Sequence, residues 1–496
     1  AAISPSDHYP VFTSLTIQPP ISPPPSVQSF RSIQSINVSQ FSRDITLSRL
    51  ITHPPSTLNQ LVDCYNTTLT GILQKHAPLK TKTVKSQSSP PWFTSSLSKL
   101  KSVRRRLERL WSRTHSDVDF KLLRSATNHY HAAIIKSKKA FNSALISSNI
   151  SYPKNLWCSV NKIIHRKAAA LFPTLFPTTS LPSMFATFFS DKIHNLRYNL
   201  LSDSSHVSPH ITPHHSPTII TQFDTVTQEE IYKLISDSSD SFCDLDPIPT
   251  SLLKKCTMVL VPTITKIINL SLSTGVCPDH FKSSLVRPYL KKANLDKEEL
   301  GNYRPISNLS FLSKLTERIV KTRLTNHFSS NALLNSFQSA YTKFHSTEST
   351  LLAVTDHIID AISQQKVTAL CLLDLSAAFD TIDHSILIER LTSWFGLSGT
   401  VLSWIKSYLT SRSFKVILNG NESPIYQLFY GVPQGSVLGP LLFTLYTTPL
   451  SSLISHSTVN HHLYADDTQL FISYSSPHFS TDVLLRQETI SKVSAW

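Results

Sequence analysis

The chain is short of glycine, methionine and acid: 496 residues carry 9 glycines, 2 methionines and 32 aspartates and glutamates. Its six cysteines, Cys64, Cys158, Cys243, Cys256, Cys277 and Cys371, are scattered and form no Cys-x-x-Cys pair. That spacing argues against structural zinc and for a reducing compartment. No apolar run reads as long enough to span a bilayer, and Ala1 to Asp7 lack the basic-then-apolar order of a signal peptide, so no membrane partner is expected. No internal repeat is evident. With no methionine at position 1, the sequence reads as a piece of a longer open reading frame. The deficit of acid leaves 47 lysines and arginines in excess and a formal charge of +15. An excess of that size favours a polyanionic partner such as nucleic acid.

Texture divides the chain. Pro19 to Ser26 is too proline-rich for a core element and reads as an extended linker. From Pro91 to Ser147 helix breakers are few, and Leu97, Leu100, Val103, Leu107, Leu110 and Trp111 recur at helical steps. On the same stretch Lys99, Lys101, Arg104, Arg105, Arg106, Arg109 and Arg113 are opposed by Glu108, which predicts a basic amphipathic helix. Such a helix serves equally as a solvated surface or as a phosphate contact. His206 to Pro217 mixes histidine with proline and predicts a flexible tether without metal. After Phe223 the texture becomes globular, with a capped helix opening at Thr227 and another following Asp246-Pro247-Ile248-Pro249. Helical spacing from Val483 to Trp496 breaks off without a cap.

Carboxylates carry the chemistry. Tyr464-Ala465-Asp466-Asp467 sits between two short apolar runs, the pattern of a strand-turn-strand hairpin, and Asp374 closes another apolar run, Ala369 to Leu373. Acids at two strand ends can converge on a pair of divalent cations, the arrangement that two-metal phosphoryl transfer requires. Mg²⁺ takes hard oxygen ligands and keeps waters, so Asp374, Asp466 and Asp467 suffice once substrate phosphates complete the shell; Mn²⁺ would substitute. Between them, Gly431 to Pro440 is a glycine-rich turn entering an apolar helix. Its glycines permit close backbone approach to a bound strand or nucleotide at Gly435, and Gln434 supplies a hydrogen-bonding handle. Asp380 and Asp383 read as helix caps.

Read in order, these segments resemble the reverse transcriptase of non-LTR (LINE-type) retrotransposons. The resemblance implies an α+β fold: right-hand polymerase fingers and palm with an antiparallel palm sheet, preceded by a mostly helical basic connector. It stops before the thumb. It also implies RNA-directed DNA polymerase activity in target-primed reverse transcription, with two Mg²⁺ ions. The implied partners are an element RNA template, a nicked target DNA primer and deoxynucleoside triphosphates. Phe379, five positions after Asp374, falls where that family places a bulky side chain that shuts out a ribose 2′-hydroxyl. Arg304, in Asn302-Tyr303-Arg304-Pro305-Ile306-Ser307, falls in a fingers segment near the triphosphate. The next fingers segment, Phe337 to Glu348, departs from the family by carrying Thr342, Lys343 and Phe344; Lys343 is the candidate phosphate contact.

At the start, Ser6-Asp7-His8-Tyr9-Pro10-Val11 resembles the closing motif of the exonuclease-III-like endonuclease of such proteins, with His8 as base and Asp7 as its orienting partner. The expected organisation is an endonuclease remnant over 1–16, a partly disordered linker over 17–75 and a basic helical connector over 76–200. A flexible linker over 201–222 and the reverse transcriptase fingers and palm over 223–496 complete it. Arg104, Arg105, Arg106 and Arg109 are its expected nucleic-acid contacts. The resemblance implies work in the nucleus, after synthesis and RNA assembly in the cytoplasm. The alternative is a catalytically inactive nucleic-acid-binding fragment of a decayed element.

Overall fold

The computed structural model describes residues 26–84, 90–150, 153–164, 172–202, 216–240, 242–457, 459–474 and 487–493. The endonuclease motif, most of the proline linker, much of the histidine-rich tether and the ends of the last helical stretch lie outside them. The chain forms two compact units, one from residues 1–31 and 79–169, the other from 32–78 and 170–496.

The first unit pairs strands β1 (Ser26–Phe30) and β2 (Lys80–Val84) antiparallel and carries helices α4 (Ser95–Thr114), α5 (Asp117–Ser147) and α6 (Pro153–Ile163). The single basic helix expected over 91–147 is therefore two. His115 turns left-handed at φ 47°, and the Ser116 hydroxyl accepts from Val118 N–H to start α5. The two helices fold back antiparallel: Trp111 meets Phe120 at 5.5 Å, the Arg104 guanidinium lies over Tyr130, and Lys138 lies over Trp92.

The second unit begins earlier than the sequence implied. Helices α1 (Val38–Thr46), α2 (Arg49–Thr52) and α3 (Leu58–His76) occupy what reads as a linker, and their Phe41, Ile45, Leu50, Leu61, Val62, Tyr65 and Leu69 are fully buried. These side chains join one core with α8 (Gln228–Ser236), α9 (Thr250–Lys255), α10 (Thr257–Thr274), α11 (Phe311–Ser330), α13 (His384–Ser393), α14 (Gly399–Leu409) and α15 (Gly439–Ser455). Burying each such side chain stabilises the fold by about 1.5–3 kcal/mol, ample reason for the segment to leave the linker state. Apolarity also corrects the bilayer argument: α10 is long and apolar enough to cross a membrane by length and composition, yet over half of it is buried in this core.

Two sheets complete the unit. Strands β3 (Ser283–Leu290), β4 (Tyr303–Asn308), β6 (Arg412–Leu418) and β7 (Asn421–Glu422) run in the order β4-β3-β6-β7, with β8 (Tyr426–Leu428) also on β6; β3 and β6 are parallel and the other pairs antiparallel. Helix α7 (Leu181–Ser202) covers this sheet with Leu181, Phe185 and Phe189, so it belongs to the second unit and not to the basic connector. Residues 216–222 are likewise packed, not a tether: Ser216 N–H donates to Ser393 and Ile220 N–H to Gly396. The other sheet is antiparallel, in the order β5-β10-β9, from β5 (Val367–Leu373), β10 (Asp467–Tyr474) and β9 (Asn460–Tyr464). Alternation sets its faces: Ala369, Cys371 and Leu373 turn toward Leu450 and Ile454 of α15, while Leu370 and Leu372 are exposed. Helix α12 (Thr347–Ser363) leads into β5. The expected caps hold at Thr227, whose hydroxyl accepts from Glu230 N–H, and the expected helix follows Pro249.

Candidate active site

Register brings the acids together. Leu373 pairs with Thr468 across β5 and β10, and Asp467 pairs with Tyr464 across the hairpin. The β5–β10 ladder ends at the pair of Leu373 with Thr468, so Asp374 and Asp467 are the residues that directly follow and precede it. Electrostatics agrees: the Asp467 carboxyl is held above the ordinary aspartate range, first by burial and then by the negative charges of Asp466 and Asp374. Crowded carboxylates of that kind are relieved by a cation, and all three offer hard oxygen donors, so the set fits Mg²⁺. The site is open: Asp374 and Asp467 are exposed, and among the described residues no three ligating side chains are gathered tightly enough to cage an ion unaided.

The hairpin turn is braced from the segment that reads as fingers. Gln338, buried, accepts Ala465 N–H on its side-chain oxygen at 3.0 Å and donates its amide to the Ala465 carbonyl at 3.4 Å. Ala465 is at φ 55°, so its backbone needs such support. Leu463 donates to Phe337 O and receives from Ser339 N–H, which docks the whole segment on β9. Ser339 also bridges two imidazoles, His345 and His462, each at 2.9 Å.

Phe379 is half-buried, stacked on Phe443 at 4.9 Å and edge-on to Tyr341 at 6.5 Å. Burial raises the Tyr341 hydroxyl above the usual tyrosine range, with Asp466 and then Tyr464 adding to it, so Tyr341 lies between Phe379 and the acidic turn. Spacing gave no sign of Tyr341 or Gln338; a glutamine among small residues, Gln338-Ser339-Ala340, was the one available hint.

The Gln434 side chain is engaged through its amide nitrogen, which donates to Asp380 at 2.6 Å, while its backbone carbonyl accepts from Ser307 N–H at 2.7 Å. Asp380 is thus an acceptor behind the loop and not a helix cap; burial lifts its carboxyl to about 6, against the pull of Gln434 and Lys192. Asp383 is the cap: it accepts from Ser385 and Ile386 N–H at the start of α13 and from the Arg197 guanidinium at 2.6 Å. Two glycines are forced. A Cβ on Gly431 (φ 75°) would lie 2.6 Å from the Asp380 carbonyl, and one on Gly435 (φ 110°) would lie 2.6 Å from the Ser307 carbonyl.

Arg304 lies exposed on β4, three residues before the Ser307 that holds Gln434, with its charge felt at Lys291. Lys343 is exposed, with its ammonium 4.6 Å from the Phe344 ring centre. In the first unit, Arg105, Arg106 and Arg109 are exposed on α4, whereas Arg104 turns onto Tyr130 and Glu108. Asp7 and His8 lie outside the described residues.

Paired carboxylates on a β-hairpin stand beside a third at a strand end, with a clamped glycine loop behind. Residues 290–495 match the family model for reverse transcriptase (RNA-dependent DNA polymerase). Among curated proteins, the chain is 30% identical over 257 residues to the probable RNA-directed DNA polymerase from transposon BS of Drosophila melanogaster, covering 51% of this chain and 28% of that protein. It is 28% identical over 285 residues to the RNA-directed DNA polymerase from mobile element jockey of Drosophila funebris, covering 55% and 30%. The Pol polyprotein from type-1 retrotransposable element R2 of Popillia japonica is 27% identical over 186 residues, covering 35% and 26%. The chain spans less than a third of the length of these relatives.

Proposed function

We propose that this chain carries the RNA-directed DNA polymerase centre of a non-LTR retrotransposon, extending a nicked target DNA primer with deoxynucleoside triphosphates along the element's RNA in the nucleus. The observation that supports the reading is the ladder ending at Leu373 and Thr468, flanked by Asp374 and Asp467, with the charges of Asp374 and Asp466 acting on Asp467. These three carboxylates would hold two Mg²⁺, which when bound supply charge neutralisation at the triphosphate and an activated 3′-hydroxyl. Phe379, fixed by Phe443 behind it, presents a rigid wall to the sugar of the incoming nucleotide. Gly435, exposed beside Gln434, offers backbone approach to the base pair being formed, and Arg304 and Lys343 are the charges available as the fingers' contacts to phosphate. The exposed arginines of α4 would follow a nucleic-acid backbone, and Asp7-His8 is the remnant of the endonuclease that nicks the target.

Primer extension on an RNA template with Mg²⁺, wild type against Asp466→Ala, tests the reading. Incorporation by the wild type and a loss of at least about a thousandfold in the variant is expected, the scale on which loss of the charges that stabilise a phosphoryl-transfer transition state is felt. Equal incorporation by both would remove the catalytic assignment. An inactive nucleic-acid-binding fragment is the second reading, supported by the departure of Thr342, Lys343 and Phe344 from the fingers segment of the family this chain resembles; binding without incorporation by the wild type would support it further.

A further inference from the structure

The glycine loop is held from the core by a carboxylate that no motif singles out. Glu317 lies in the middle of α11 and is 1% exposed. Its Oε2 accepts Val437 N–H at 2.6 Å and Leu438 N–H at 3.1 Å, the two residues that lead into α15, while Oε1 accepts the Ser313 hydroxyl at 3.3 Å. Around it the loop closes on itself: Ser436 N–H donates to Pro433, and Gly439 N–H donates to the Ser436 hydroxyl. Gly431 and Val432 N–H donate to Ile382 and Phe379. Between Gly431 and Gly439 this leaves the Gln434 and Gly435 N–H groups as the loop's peptide donors without a protein acceptor among the described residues. They fall at the tip, where Gly435 is exposed.

We infer that Glu317 is the positioning residue of the nucleotide-binding loop: by taking the Val437 and Leu438 donors it fixes the tip so that the Gln434-Gly435 peptide donors stay presented to the substrate. This deepens the polymerase reading and rests on it. The alternative role for a buried acid is charge compensation, here of Arg412, which is also buried and donates to the carbonyls of Tyr408 and Phe281. The two roles make opposite demands. Holding the loop needs reach and an acceptor oxygen, which a glutamine keeps: its carbonyl can face Val437 and Leu438 and its amide can face Ser313. Balancing Arg412 needs charge, which an aspartate keeps while falling one methylene short.

The test is Glu317→Gln and Glu317→Asp in the full chain, read two ways. Amide hydrogen exchange over residues 431–442 reports the clamp without any activity: Glu317→Gln should match the wild type, and Glu317→Asp should exchange about tenfold faster, the effect of losing roughly 1.4 kcal/mol of hydrogen bonding. In primer extension, Glu317→Asp should raise the KM for deoxynucleoside triphosphate about tenfold on the same scale, with Glu317→Gln within about twofold. The inference is overturned if Glu317→Asp protects the loop as the wild type does, or if Glu317→Gln is the more damaged of the pair. A wild type that exchanges slowly at the loop but incorporates nothing would sink the polymerase reading and leave the clamp standing as structure alone, without a substrate to present.

Discussion

Single side chains set the fine geometry of the acidic turn. Gln338 makes two hydrogen bonds to Ala465. Gln338→Ala should cost about 1 kcal/mol for each, and steady-state primer extension should show kcat falling about thirtyfold with little change in nucleotide KM. An unchanged kcat would return Gln338 to mere packing. Asp380 makes a pH-dependent statement. Its folded-state value, about 6, lies above the ordinary aspartate value of 3.8, so the folded chain binds this proton more tightly than the unfolded one. Stability from this group is therefore present at low pH and declines as pH rises from near 3.8 to about 6. Asp380→Asn keeps an oxygen for Gln434 and removes the titration. Its stability relative to wild type, from denaturant titrations, should rise across that interval and level off above it. Asp246, also lifted to about 6 by burial, slopes the same way in both proteins and cancels in the comparison. The placing of Asp374 at the end of β5 and of Asp466-Asp467 at the β9–β10 turn was legible because apolar runs flank them. Gln338 and Glu317 were not, because each acts through a backbone group more than a hundred residues away, and no local spacing records such a partner.

Among elements, the basic hairpin shows what periodicity can and cannot tell. The helical steps from Leu97 to Trp111 were readable, and so, with hindsight, was the break: Ser116-Asp117-Val118-Asp119 is a cap followed by acids in the first turn. Continuity of charge disguised it. If α4 touches phosphate, neutralising Arg105 and Arg106 should flatten the slope of log affinity against log salt by about 0.9 per contact on duplex DNA. Arg104, engaged with Tyr130 and Glu108, should change it less. Equal slopes for all variants would make the hairpin a solvated surface. Helices α1 to α3 were missed for a different reason. Leu58, Leu61, Val62, Tyr65, Leu69 and Leu73 have core spacing, but they follow a proline-rich stretch, and local composition outweighed period.

For the whole molecule, the boundary matters more than any one helix. The match to the reverse transcriptase family model begins at residue 290, yet the unit that holds it draws core from residue 36 onward. A chain begun at residue 223 should therefore lack the buried face that α3 gives to α10 and lose cooperative thermal melting, whereas one keeping residues 32–78 should retain it. Circular dichroism melts of the two would decide; equal cooperativity would show α1 to α3 to be dispensable.

That same discontinuity has a cost during synthesis. Helix α3 ends at His76, but α10, against which it packs, starts at Thr257. Translation proceeds at about 5–20 residues per second, so the greasy side of α3 waits on the order of ten to forty seconds for its mate to leave the ribosome. Through that interval a helper that shields nascent apolar segments has an obvious client, and its shortage would be felt first as aggregation of half-made chains.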